Sequence, residues 1–383
     1  MKKILVIHNK YRNIGGEDVA VAKEIELLKN YYDVETIYYS NDIKNYIMQV
    51  ISFFSNRNFN STRRLKTIIH EFNPDFAYVH NTWFNASLGI FKVLDHYGIK
   101  TILKLHNFRY DCTKSFFSSK HFGKKDICHG CGLKKSEVGL FNKYFHDSYL
   151  KSLLVSRYGK KYFDILQNNN LRVLVLTKFH KEYLINLGLS EKNINIYPNY
   201  LDLENINRES SPDKYIIYAG RISEEKGVEE LIKSFIECNL NDLKLKIIGE
   251  GPLLEYLKDN YVNQNIIFLG IKSNKEVLEI MKKSIGVVTA TKLYEGQPML
   301  LCEASSLGVP SVFPDSGGIL EFFPKNYQLF FKQFNYLELM NKIKLISDSE
   351  ISKSKGEENK KYIKTYLHKE KLIEKFEEVL NDV

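Results

Sequence analysis

The chain has 383 residues, 44% hydrophobic and 26% charged, a balance that excludes a disordered or fibrous protein and leaves room for two ordinary domains. No run of about 18 apolar residues occurs, and the start, MKKILVIHNK, reads as a strand and a polar turn rather than a signal peptide, so a cytoplasmic protein is expected. The net charge of +9 is uneven: residues 1–200 carry 30 Lys and Arg against 17 Asp and Glu, and residues 201–383 carry 25 against 29. A basic first half suits an anionic partner such as phospholipid headgroups, a polyprenyl diphosphate or nucleic acid; it also suits a plain solvated surface.

In chain order, Lys2–His8, Val34–Tyr39, Phe76–His80, Thr101–His106, Val173–Thr177 and Ile194–Asn199 are β-rich runs. Helical patterns at Glu17–Asn30, Ser61–Phe72 and Ser87–Tyr97 lie between them, and this alternation predicts a parallel sheet with helices on both faces. Residues 42–62 and 139–165 mix aromatic, aliphatic and basic residues, which fits helices packed on the sheet or helices lying on a membrane. Asp202–Asp213 loses all apolar periodicity and reads as a linker. The pattern then restarts with strands at Lys214–Gly220, Leu243–Gly249, Ile266–Gly270, Gly286–Ala290, Ser311–Phe313 and Leu329–Phe331, before a charged helical tail. The expected organisation is an α/β domain over 1–200, with an insertion at about 107–135, a second α/β domain over 201–365 and a last helix over 366–383. Ligands of such sheets bind at the carboxyl ends of the strands.

The richest stretch is EGQPMLLCEASSLGVPSVFPDSGG. Pro298 and Gly308 suit the two ends of a helix, and the N-terminus of that helix, around Met299 and Leu300, offers N–H groups and a positive dipole end to phosphate. Glu295 precedes this helix and Glu303 lies in its second turn, where carboxylates accept hydrogen bonds from sugar and ribose hydroxyls. In YAGRISEEKG, Arg221 follows a strand and Lys226 begins the next helix, so two cations leave one turn toward a diphosphate. In the first half, Gly15 and Gly16 allow close backbone approach of a ligand ahead of a helix. The spacing is not the G-x-G-x-x-G of a dinucleotide-binding unit, which argues against a dehydrogenase. His106 ends the strand TILKLH, as His8 and His80 end theirs, and can reach a ligand at the sheet edge. Cys112, Cys128, Cys131, His121 and His129 cluster in the insertion; they fit a structural zinc site or free thiols. Cys238 and Cys302 fall in helical patterns as small core residues. The odd number of five cysteines argues against a disulfide framework.

Taken in order, the Gly-Gly loop, LHN, YAGRISEEKG, IIGEGP and EGQPMLLCEASSLGVPSVFPDSGG resemble glycosyltransferase family 4, retaining enzymes of the GT-B fold, over essentially the whole chain. The resemblance implies two Rossmann-like domains with parallel sheets facing a central cleft, and a last helix that crosses back to the first domain. It implies that Arg221 and Lys226 hold the donor diphosphate, with N–H groups from Gly296 to Leu300 completing its cradle. Glu295 would contact the transferred sugar, Glu303 the ribose, Gly16 the phosphate and His106 the donor sugar. Gln297 stands where the family often has an aromatic or hydrophobic residue, which puts the donor-sugar contacts at that position in doubt. The implied reaction is front-face displacement from a UDP- or GDP-sugar, with no cofactor or catalytic metal, onto a saccharide or polyprenyl-diphosphate-linked acceptor in capsule, O-antigen or exopolysaccharide assembly. The basic first half would then meet an anionic membrane at its inner face, and nucleic acid is not an expected partner. Rival readings are a sugar-nucleotide epimerase or phosphorylase of the same fold, and a polyanion-binding protein without catalysis.

Overall fold

The computed structural model describes residues 1–10, 15–40, 55, 57–83, 85–108, 157–158, 161–168, 170–202 and 212–382. The cysteines and histidines of the insertion, most of segments 42–62 and 139–165, and most of the linker lie outside the described residues. The chain divides into unit 1, residues 1–200 with 369–383, and unit 2, residues 201–368.

Unit 1 is built on six parallel strands, β1 (Lys3–Lys10), β2 (Asp33–Ser40), β3 (Phe76–Val79), β4 (Lys100–Leu105), β5 (Leu171–Val175) and β6 (Ile194–Ile196), in the order β2-β1-β3-β4-β5-β6. Ile4, Leu5, Val6 and Ile7 are all buried, as in sheets covered on both faces. The helices described in unit 1 include α1 (Gly16–Leu28), α2 (Phe59–Phe72), α3 (Gly89–His96), residues 161–166 and α4 (Lys178–Asn186). Side-chain caps set their starts. Asn58 accepts from the N–H groups of Asn60 and Ser61, and Thr177 accepts from His180 N–H.

Unit 2 repeats the plan with β7 (Tyr215–Ala219), β8 (Lys244–Ile248), β9 (Ile266–Gly270), β10 (Gly286–Val288), β11 (Ser311–Asp315) and β12 (Phe330–Lys332), all parallel, in the order β12-β11-β10-β7-β8-β9. Counted within the unit this is 6-5-4-1-2-3, the doubly wound order whose direction reverses between β7 and β10. Its helices are α5 (Val228–Glu237), α6 (Leu254–Asn260), α7 (Asn274–Lys282), α8 (Met299–Leu307), α9 (Tyr336–Ile346) and α10 (Ser349–Tyr366). Pro298 caps α8 from outside rather than sitting in its first turn, and Gly308 ends it at φ 79°. Lys226 does not begin α5: it closes a separate 3-10 turn, Glu224–Lys226, and Gly227 is the cap.

The last helix, α11 (Lys369–Asp382), packs in unit 1. Phe376 meets the rings of Tyr78 at 5.1 Å, Tyr197 at 5.5 Å and Tyr32 at 5.9 Å. Below these rings lies a fully buried ion pair, Lys104 Nζ to Glu24 Oε2 at 2.6 Å, with Tyr78 OH donating to Glu24 Oε1 at 2.6 Å. Burial pulls the Lys104 ammonium down and Glu24 pushes it back up.

Candidate active site

In unit 2 the strand-end loops after β7, β10 and β11 converge where the strand order reverses. Lys226 Nζ donates to Glu295 Oε1 at 2.5 Å, and Thr291 Oγ1 reaches the same oxygen at 3.1 Å. Gly317 holds the Glu295 backbone: the two form a β-bridge, Gly318 N–H donates to Glu295 O at 2.8 Å, and a Cβ on Gly317 would strike that carbonyl. Gly227 is packed as tightly, at φ +64°, against the Ala290 carbonyl. The Arg221 side chain is 67% exposed, with NH1 only 4.0 Å from Glu225 Oε1, so its guanidinium is open to an incoming anion. A third cation, Lys292, is 5% exposed and donates to Glu230 Oε1 at 2.5 Å.

Lys226 and Glu295 neutralise each other across the two loops. Both side chains are partly exposed, 31% and 24%, and such pairs contribute about 1 kcal/mol or less. An incoming anion can therefore draw Lys226 away at small cost. Lys292 is better buried, so its exchange costs more, and it suits a structural anchor for the loop. Tyr218, whose hydroxyl donates to Arg221 O at 2.8 Å, is raised by burial and by Glu295 and Glu225, and stays a neutral donor.

Glu303 is 8% exposed in the second turn of α8, and Oε1 accepts from Asn274 Nδ2 at 3.2 Å. Met299 and Leu300 form the first turn of this helix and are partly buried. Gly296 and Gln297 are buried in the preceding loop, and the Gln297 side chain hydrogen-bonds Cys302, whose thiol is pushed up by burial. That contact gives Gln297 a loop-fixing role that the motif did not suggest.

Unit 1 brings three histidines to its own reversal point, between β1 and β3. His80 Nδ1 and His106 Nε2 share a hydrogen bond of 2.9 Å with stacked rings, and the His8 ring lies 6.1 Å from His80. Burial, followed by neighbouring positive groups, holds His80 and His106 well below the usual histidine range, so both are neutral near pH 7. His8 Nε2 pairs with Asp18 Oδ1 at 2.8 Å, and Asp18 Oδ2 accepts Gly15 N–H at 2.9 Å. Gly15 has ordinary extended angles, and a Cβ on Gly16 would meet nothing within 4 Å among the described residues.

Sequence reasoning missed Lys292, Thr291, Asn274, Gly317 and Asp18. Lys292 had a usable signal, a basic residue just past the strand and three before Glu295; Asn274 had none, being remote from every motif. Among the described residues no group of three or more His, Cys, Asp or Glu is arranged to hold a metal.

Two parallel six-stranded sheets of this kind define the GT-B fold, and the match to a glycosyltransferase family together with named glycosyltransferase relatives makes the protein a glycosyltransferase. Residues 202–376 match the family described as Glycosyl transferases group 1. An uncharacterized glycosyltransferase of Methanocaldococcus jannaschii is 26% identical over 286 residues, 69% of this chain and 70% of that protein. The N-acetylgalactosamine-N,N'-diacetylbacillosaminyl-diphospho-undecaprenol 4-alpha-N-acetylgalactosaminyltransferase of Campylobacter jejuni is 30% identical over 136 residues, 33% of this chain and 37% of that one. Among solved structures, Anabaena HepE in complex with UDP-glucose superposes with a TM-score of 0.67 at 14% identity, covering all of both chains.

Proposed function

We propose that the protein is a retaining glycosyltransferase of family 4 that moves a sugar from a nucleoside diphosphate donor, a UDP- or GDP-sugar, to a saccharide or lipid-linked saccharide in cell-surface polysaccharide assembly. The observation that carries this reading is the contact of Lys226 with Glu295 beside the exposed Arg221, at the reversal point of the second sheet. Arg221, Lys226 and the N–H groups from Gly296 to Leu300 receive the diphosphate, and Lys226 leaves Glu295 as it does so. Glu295, so released, accepts hydrogen bonds from hydroxyls of the transferred sugar, and Glu303 accepts those of the ribose. His106, neutral beside His80, serves the donor sugar, and Gly15 with Gly16, the latter with open space at its Cβ position, serves its phosphate.

As the bond between the anomeric carbon and the diphosphate oxygen breaks, negative charge grows on the leaving group. Arg221, Lys226 and the helix end stabilise it. The acceptor hydroxyl attacks from the same face and gives its proton to the departing oxygen, so the product keeps the anomeric configuration. No carboxylate acts as nucleophile, unlike the paired acids of glycosidases.

The HepE complex with UDP-glucose supports a nucleotide sugar as donor without choosing the base for this chain. The diphospho-undecaprenol acceptor in the name of the Campylobacter relative, with the basic charge of residues 1–200, supports a lipid-linked acceptor at the inner face of the cytoplasmic membrane. No helix among the described residues is long and apolar enough to cross a membrane. Thermal-shift screening of nucleotide sugars followed by NMR of the product's anomeric configuration tests the reading. A stabilising donor and a retained configuration support it; inversion, or sugar epimerised with no acceptor present, overturns it.

A further inference from the structure

We infer that Asn274 is a positioning residue for the nucleotide ribose, acting through Glu303 and setting the preference for a ribonucleotide over a 2′-deoxyribonucleotide donor. The inference rests on the assignment of Glu303 to the ribose. Asn274 is the first residue of α7 and is exposed, whereas Glu303 is almost buried in α8. The two helices come from different strand-end loops, and the 3.2 Å bond from Asn274 Nδ2 to Glu303 Oε1 is a side-chain tie between them at the rim of the site.

The amide is not needed for the helix it begins. Ser273 caps α7 through its hydroxyl, accepting from Glu276 N–H, and Glu276 returns the bond to Ser273 N–H at 2.8 Å. Asn274 lies outside this reciprocal pair, so its side chain is free of a folding duty at the cap. Its effect falls on the carboxylate. A carboxylate has about four lone-pair positions, and a donor at one of them fixes the plane in which the others lie. A vicinal diol is gripped by both carboxylate oxygens at one orientation of the group, so loss of the amide removes one donor that holds that orientation and weakens the two-point grip.

The experiment measures affinity for UDP, GDP and their 2′-deoxy forms in the wild type and in Asn274→Ala, Asn274→Asp and Glu303→Ala, with the melting temperature of each. Asn274→Ala should raise the Kd of the preferred ribonucleotide about 5- to 10-fold, the scale of one ordinary hydrogen bond, because the amide acts on the ligand only through Glu303. It should leave the 2′-deoxy affinity and the melting temperature nearly unchanged. With the donor saturating, kcat should hold while KM rises. Asn274→Asp should weaken ribonucleotide binding further, because two carboxylates then face each other. In the double variant with Glu303→Ala, the Asn274 substitution should add nothing. Equal loss for ribo and deoxy ligands, or unchanged affinity in Asn274→Ala while Glu303→Ala binds weakly, overturns the role of Asn274 alone. Unchanged affinity in Glu303→Ala overturns the ribose assignment itself.

Discussion

Arg221 and Glu303 differ in what surrounds them, and the difference sorts their expected effects. Arg221 is open, with a long contact to Glu225, and under the proposed mechanism it meets charge that grows during bond breaking. Arg221→Ala should lower kcat by about 10²–10³ with a small change in donor KM, the loss seen on removing one preorganised donor to developing charge. Glu303 is buried and under the proposed mechanism meets hydroxyls that do not change in the reaction, so Glu303→Ala should raise the donor Kd and leave kcat close to wild type. Steady-state kinetics with a saturating acceptor separates the two. Both residues were legible in the sequence, because a cation directly after a strand and a glutamate in a helix's second turn have few positions to occupy. Their partners were not legible. That Lys226 would rest on Glu295, and Asn274 on Glu303, depends on side chains 69 and 29 residues apart meeting in space, which no local pattern encodes.

Loops and helices carry the site, and their glycines show how narrowly. Gly317 closes on the Glu295 backbone in the left-handed region, so Gly317→Ala combines an unfavourable backbone with a clash on the residue proposed to face the sugar. The expected result is a loss of about 2–3 kcal/mol of stability and a larger fall in kcat than that loss alone explains. Activity assayed well below the melting temperature makes the distinction. The DSGG segment was quoted in the sequence as part of the motif, yet its duty as a brace for Glu295 appears only once the bridge is seen. Strand and helix positions were read well, since alternating apolar runs leave little choice in a parallel sheet. Their edges were read less well: Pro298 moved out of its helix and Lys226 into a turn of its own, because one residue decides a cap and periodicity does not resolve it.

At the scale of the whole molecule, acid should be more damaging than the modest net charge suggests. His80 and His106 are held well below the ordinary histidine value, and burial lowers His180 to about 3. An unfolded chain protonates all three near pH 6.5, while the folded chain does not. Stability is therefore complete above the unfolded value and is lost as pH falls from there toward the folded values, by about 1.4 kcal/mol per pH unit for His180, with His80 and His106 acting in the same direction. Melting temperatures should fall steeply over about pH 6.5 to 4, and His180→Phe should make that limb shallower. A flat profile would contradict the buried, neutral state. The core offers a second test: Phe376→Ala removes a ring packed among three tyrosines and should cost about 3–5 kcal/mol, read by denaturant titration.

The seat of α11 has a practical consequence. Unit 1 is assembled from two stretches of chain that lie 168 residues apart in the polypeptide, with all of unit 2 intervening. A gene fragment stopped after codon 200 would leave Tyr32, Tyr78 and Tyr197 without their lid and the Lys104–Glu24 pair nearer to water. Scissors can free unit 2 with one cut at each border, but unit 1 can be produced alone only by splicing its tail back on through a designed linker.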